Sequence, residues 1–130
     1  MIGLVIICSL IDYLIPATMI VLGFVLLKKP PKKINSIYGY RTTRSMKNRH
    51  TWDFAQKTCG KVWIWGGSIL VILTLTPFLA ALRQELDTVL IISCAVVGAQ
   101  VVAMLLTLFP VEHALKKNFD AYGRKSEVKL

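Results

Sequence analysis

Three long apolar stretches, with an intensely basic segment between the first and the second, constrain this chain more than any other feature. They run from Ile2 to Leu27, from Val62 to Leu82 and from Thr88 to Phe109; the first holds one charged residue, Asp12, and the others none. Each reaches the roughly 20 residues a helix needs to cross the hydrocarbon core of a bilayer. A hydrophobic fraction of 55% agrees, since a soluble chain of 130 residues needs more polar surface. The expected fold class is all-α: a polytopic membrane protein with three transmembrane helices in a single domain, residues 1–130. The first stretch reads as a retained anchor. It lacks a basic start, exceeds the usual length of a signal peptide and ends in Lys28-Lys29-Pro30-Pro31.

Charge gives the expected topology. The loop from Lys28 to Lys61 carries Lys28, Lys29, Lys32, Lys33, Arg41, Arg44, Lys47, Arg49, Lys57 and Lys61 against one acid, Asp53. The tail, residues 110–130, holds Lys116, Lys117, Arg124, Lys125 and Lys129 against Glu112, Asp120 and Glu127. The short connection between the second and third stretches has Arg83, Glu85 and Asp87. Basic loops stay in the cytoplasm, so the N-terminus is expected outside and both the basic loop and the tail inside a bacterial plasma membrane. A net charge of +9 raises the question of nucleic acid, but the cations flank apolar spans, where they contact anionic lipid headgroups. No nucleic-acid partner is expected.

Within the spans a few residues break the apolar rule. Asp12 lies about ten residues into the first helix, near mid-bilayer at about 1.5 Å per residue. A charge there costs at least about 2.5 kcal/mol, so the carboxyl is expected to be protonated, paired or facing water. Pro16 lacks the N–H that would bond the Asp12 carbonyl, which leaves that carbonyl free in the same turn. Two roles fit: a cation, proton or ligand site at a kink, or a protonated acid bonded to a neighbouring helix through Gln100 or Thr74. Pro77 frees the Leu73 carbonyl, with Thr74 and Thr76 nearby. In the third span Ala95, Ala99 and Ala103, with Cys94 and Gly98 on the next stripe, predict close helix packing. Cys8, Cys59 and Cys94 form no CxxC pair, and His50 and His113 have no second ligand at metal spacing, so no metal or cofactor is expected.

The basic loop is more ordered than a run of charge requires. Pro30-Pro31 ends the first helix, and a turn-prone stretch from Asn35 to Met46 follows. Ser45 is a fitting N-cap for a helix that starts at Met46. From there Trp52, Ala55, Cys59, Val62 and Trp63 recur at helical spacing, with cations opposite. This predicts an amphipathic helix lying at the membrane interface before the chain turns into the second span.

The stretch Asn35-Ser-Ile-Tyr-Gly39-Tyr40-Arg41-Thr42-Thr-Arg-Ser45-Met-Lys-Asn48, followed by Trp52-Asp-Phe-Ala55-Gln, resembles the signature of the SdpI/YfhL family of bacterial membrane proteins. The tail Lys117-Asn118-Phe119-Asp120-Ala121-Tyr122-Gly123-Arg124 resembles the Phe-Asp-x-x-Gly element near the end of many members. The resemblance implies a short, three-span member of a family associated with immunity to a secreted, membrane-active peptide toxin. It also implies a binding site at Asn35, Gly39, Tyr40, Arg41, Thr42, Ser45, Asn48, Trp52 and Ala55. The longer founding member is also associated with a transcriptional repressor. In physical terms, Arg41 would clamp a phosphate or carboxylate bidentately, and Gly39 would supply a turn with positive φ. Asn35 and Thr42 would satisfy loop backbone groups, and Trp52 would fix the depth of the helix.

Three functions fit these residues. One is toxin immunity by binding, without catalysis. A second is a transporter or channel subunit that uses Asp12, Pro16 and Gln100 within a homo-oligomer, because three helices hardly enclose a pore. The third is an interfacial membrane enzyme with Arg41, His50 and Asp53 as its candidates.

Overall fold

The computed structural model describes residues 2–125; Glu127 and Lys129 of the basic tail lie outside the described residues. Four helices follow in order: α1 (Ile2–Lys28), α2 (Arg49–Ala81), α3 (Leu86–Leu106) and α4 (Leu108–Asn118). α1, α2 and the joined run α3–α4 are long and apolar enough to cross a membrane, and the chain is a multi-pass membrane protein. The described residues contain no strand, only an isolated antiparallel bridge between Phe119 and Lys125.

Small residues bring the helices of the bundle close together, while many of its large ones face outward. Along α1 the buried positions are Val5, Cys8, Asp12, Pro16, Met19, Gly23 and Leu26, one stripe at steps of three and four. On α2 Gly60, Gly67, Thr74 and Ala81 are buried at every seventh position, the spacing of a coiled-coil seam. The two stripes meet so closely that a Cβ at Gly60 would stand 2.7 Å from the Gly23 carbonyl oxygen. One at Gly67 would stand 2.9 Å from the Pro16 carbonyl oxygen. Large residues such as Leu14 (60% exposed) and Ile72 (70%) point away from the bundle, toward hydrocarbon. On α3 the outcome differs from expectation. Ala95, Ala99 and Gly98 are exposed, and a Cβ at Gly98 would meet nothing within 4 Å. The tight contact uses α2 glycines instead.

Two boundaries also differ from the sequence expectation. α2 is one uninterrupted helix of 33 residues, about 50 Å at 1.5 Å per residue against a core of about 30 Å. No separate interfacial helix precedes it. The apolar face that predicted one is covered by protein, with Trp52 and Ala55 at 0% and Cys59 at 2% exposure, so it has no need of lipid. The N-cap is Asn48 and not Ser45. Asn48 Oδ1 accepts from the Thr51 N–H at 2.9 Å while Thr51 Oγ1 accepts from the Asn48 N–H at 3.1 Å, a reciprocal capping box. At the far end of the third span, Pro110 cannot donate to the Leu106 carbonyl, and the helix breaks at Thr107. It resumes as α4, where Pro110 sits in the first turn and its missing N–H costs nothing. The Trp63 indole N–H ties α2 to this break by donating to Thr107 Oγ1 at 3.0 Å.

Candidate functional site

The basic loop does not trail from the bundle; it folds back over the first turns of α2 and is pinned there. The amide of Gln56, wholly buried, straddles Tyr40: its Oε1 accepts from the Tyr40 N–H at 2.7 Å and its Nε2 donates to the Tyr40 carbonyl at 2.8 Å. The Tyr40 hydroxyl reaches α4 and donates to Glu112 Oε1 at 2.7 Å. Burial first, and then the Glu112 carboxylate, push this phenol above its ordinary range, so it stays a donor. Trp52 donates from its indole to the Pro31 carbonyl at 2.8 Å, which locks the exit from α1 against α2. Its job is thus inside the protein and not at the headgroups.

Local turns complete the loop. Asn35 Oδ1 accepts from the N–H groups of Ile37 and Tyr38 at 3.0 and 2.7 Å. Gly39 follows with φ +107°, and a Cβ there would lie 2.7 Å from Gln56 Oε1; the residue must be glycine for both reasons. Thr42 and Ser45 bond reciprocally through hydroxyl and N–H, and the buried Ser45 hydroxyl also reaches the Tyr40 carbonyl at 3.1 Å. Ala55 lies in the apolar cluster below, with Leu26, Tyr40, Cys59, Val111 and Leu115. Asn48 has a second partner, donating from Nδ2 to the Gly123 carbonyl at 2.6 Å, so the tail element docks on the start of α2.

That tail element is a turn built on Asp120. Its Oδ1 accepts from the N–H groups of Tyr122 and Arg124 at 2.9 and 2.8 Å, and Gly123 takes φ +77°. The Arg124 amide foremost, helped by the Tyr122 amide and the Arg124 guanidinium, outweighs the opposing desolvation and holds the carboxyl below its usual value of 3.8. Because the folded value is lowered, the turn gains its full support above the unfolded value and loses it as pH falls through the folded one. The Arg124 amide resonance is expected to keep its folded position through the ordinary aspartate value of about 3.9 and to move toward the random-coil position only below it, as pH falls through the lowered folded value. A transition whose midpoint lies at or above that ordinary value would contradict this.

Among the nine signature residues, Arg41 alone is both charged and exposed. Its guanidinium donates to the Ser36 carbonyl, and it has no acidic partner among the described residues. Arg41 rims a cleft of about 250 Å³. Tyr38 and Thr42 line the cleft from the loop; Leu22 and Leu26 of α1, Trp63 of α2 and Leu108 of α4 give it an apolar floor. His50 and Asp53 are not brought to it. His50 lines a separate groove with Phe54 and Phe119, and Asp53 pairs with Arg49 at 3.8 Å. Among the described residues no cluster of three His, Cys, Asp or Glu side chains forms a metal site. Gln56, which ends the quoted signature stretch, Pro31 and Glu112 are structural partners whose bonds to Tyr40 and Trp52 the sequence reading did not foresee. Gln56 stands one helical turn beyond Trp52 on the same face, which was the available signal.

The intramembrane polar residues also meet. Gln100 Nε2 donates to the Asp12 carbonyl freed by Pro16, and to Thr74 Oγ1, each at 2.8 Å. The Asp12 carboxyl itself is bonded by a residue not foreseen, Ser93, whose hydroxyl donates to Oδ2 at 3.0 Å. Thr74 donates to the Leu70 carbonyl, not to that of Leu73.

Comparison with known proteins follows the same region. A model of the SdpI/YfhL protein family matches residues 32–111. The chain is similar to the uncharacterized protein YfhL of Bacillus subtilis (strain 168), with 37% identity over 79 residues, 61% of this chain and 70% of that protein. No solved structure matches.

Proposed function

We propose, from the premise that this chain belongs to the SdpI/YfhL protein family, that it gives its cell immunity to a secreted, membrane-active peptide toxin by binding and not by catalysis. The observation that carries the proposal is Arg41, an exposed cation at the rim of a cleft with an apolar floor. The other polar signature groups are engaged in holding the loop: Tyr40 by Gln56, Ser45 by Thr42 and Asn48 by Thr51 and Gly123. They build the rim, and Arg41 is left to meet a ligand. A guanidinium presents five N–H donors in a plane, and the Ser36 carbonyl leaves donors free. A membrane-active peptide offers matching chemistry, an apolar body with a carboxylate at its end or on a side chain. Such a site works at the headgroup level, and the surrounding cations support a position on the cytoplasmic face of the cell membrane, next to anionic lipid.

A survival assay tests this. Sensitive bacteria that express the wild type are expected to withstand a sibling-killing peptide. Arg41→Ala and Arg41→Lys, at matched membrane levels, are expected to lose most of that protection, because an ammonium cannot make the planar two-bond contact. Full protection by Arg41→Lys would remove the clamp, and failure of the wild type against every such peptide would remove the immunity function.

A further inference from the structure

The cleft under Arg41 lies where all three apolar spans end. Leu22 lines it nearly two turns before Lys28 closes α1, a depth of about 9 Å at about 1.5 Å per residue. Trp63 lines it just after Lys61, the last cation before the apolar run of α2. Leu108 lines it one turn before Glu112, the first charged residue after the third span. An indole at this depth suits the boundary between headgroups and hydrocarbon. The loop therefore reaches down from the water and brings Tyr38, Arg41 and Thr42 to the bilayer surface. Beside Tyr38, Ile37 is 87% exposed, an apolar side chain on a basic segment that the described residues leave uncovered. Such a side chain is best placed among lipid chains, with the neighbouring Lys32 and Lys33 at the headgroups.

The geometry points to a site for one anionic phospholipid of the adjoining leaflet, with its phosphate on Arg41 and its acyl chains running down past Leu22 and Leu108. The inference rests on the reading of the cleft as a ligand site, and it names the occupant that an incoming toxin has to displace. Both offer an anion on an apolar body. Arg41 is the one charged residue that lines the cleft. It donates to the Ser36 carbonyl and keeps donors for two phosphate oxygens. Tyr38 and Thr42 add hydroxyls on the same rim. No acid lines the cleft, and Glu112 on α4 is engaged by Tyr40 and Arg44. A headgroup ammonium thus finds no partner, whereas a glycerol headgroup needs none. This selects phosphatidylglycerol over phosphatidylcholine. The volume of about 250 Å³ falls below that of sites enclosing a whole drug-sized molecule. It takes the phosphoglycerol end alone, and the chains lie outside against the exposed Leu108 and Phe109.

The test uses the full chain in dodecylmaltoside with a trace of phosphatidylglycerol that carries a photoreactive diazirine high on one acyl chain. Crosslinks, read by peptide mass spectrometry, are expected to concentrate on Leu22, Trp63 and Leu108. Unlabelled phosphatidylglycerol at about ten times its Kd should reduce them about tenfold by mass action. Phosphatidylcholine at the same concentration should leave them within about twofold, and so should glycerol 3-phosphate, which offers the phosphate without the chains. Arg41→Ala should weaken phosphatidylglycerol binding about 10- to 100-fold, the range of a lost charge-assisted contact. Lys57→Ala removes an exposed cation that does not line the cleft and should stay within about twofold. If Arg41→Ala loosens the loop, seen as faster exchange of the Tyr40 amide, the wild-type comparison of lipids decides alone. Crosslinks spread evenly over outward-facing positions such as Leu14 and Ile72, equal competition by phosphatidylcholine, or equal losses in Arg41→Ala and Lys57→Ala would each overturn the proposal. Survival is a separate readout. Specific lipid binding without protection removes the toxin function and keeps the lipid site, and protection without lipid binding does the reverse.

Discussion

Gln56→Leu is expected to release the basic loop from α2, and with it to remove the protection proposed above, while the protein still reaches the membrane. The side chain is fully buried and makes both backbone hydrogen bonds of Tyr40, much as a neighbouring strand would. Leucine fills a similar volume but offers neither partner. The Tyr40 N–H then stands buried and unpaired, a loss of about 1–3 kcal/mol, and the carbonyl keeps only the longer bond from Ser45, a further loss of about 1 kcal/mol. Docking of the loop should weaken by about 2–4 kcal/mol, which predicts that the Tyr40 amide exchanges roughly 30- to 1,000-fold faster. Amides in the middle of α2 should not change. Gln56→Glu should be as damaging, because it retains the acceptor for the N–H but sets a second oxygen against the Tyr40 carbonyl. If the Tyr40 amide exchanges at the wild-type rate in Gln56→Leu, this amide does not hold the loop.

The same residue shows where sequence reasoning reaches its limit. Spans were legible because the energetics of lipid are one-dimensional: a long uncharged run has one affordable place. The Asn35 turn and the Gly39 backbone were legible because asparagine and glycine act on their own neighbours. Likewise the carbonyl freed by Pro16 was visible four residues upstream, although Gln100 had to come from another helix to fill it. What was hidden depended on distant partners. Ser45 and Asn48 are both good caps, and the choice fell to Asn48 because Thr51 reciprocates while Ser45 is engaged with Thr42 and Tyr40. The apolar face from Trp52 to Cys59 looked like a membrane-surface helix because the sequence does not say that the loop and α4 cover it. Nor could it say that Gly123 would dock on Asn48 across 75 residues.

Loop and bundle depend on one another through α2. Its first turns carry Thr51, Trp52, Ala55 and Gln56, which organise the cleft, and its next turns carry Gly60 and Gly67, which meet α1. Leu22 and Leu26 on α1 belong both to the floor of the cleft and to the helix that packs on those glycines. The shape of the cleft is therefore set by how closely α1 approaches α2, and a change in that distance is felt at Arg41 without touching it.

Gly60→Val forces α1 and α2 apart and exposes Cys59. A Cβ at position 60 lies 2.7 Å from the Gly23 carbonyl oxygen and 3.1 Å from the Leu27 N, both backbone atoms that have no rotamer to yield. Even alanine demands a shift of helix against helix, and valine adds two more methyl groups in the same gap. Overpacking of this kind costs about 1–3 kcal/mol, with valine expected at the upper end. Cys59, 2% exposed and adjacent in sequence, reports the opening. Its labelling by N-ethylmaleimide in detergent should accelerate about 5- to 150-fold, the range that this energy sets. Gly23→Val should act alike, since its Cβ would lie 2.8 Å from the Gly60 carbonyl oxygen. Gly98→Ala supplies the contrast, because its Cβ enters open space and Cys59 labelling should not change. Unchanged labelling in Gly60→Val, or equal damage from Gly98→Ala, would place the tight seam of the bundle elsewhere. The expected order, Gly60 and Gly23 severe and Gly98 silent, follows from backbone proximity alone, because all three residues are glycines within apolar helices.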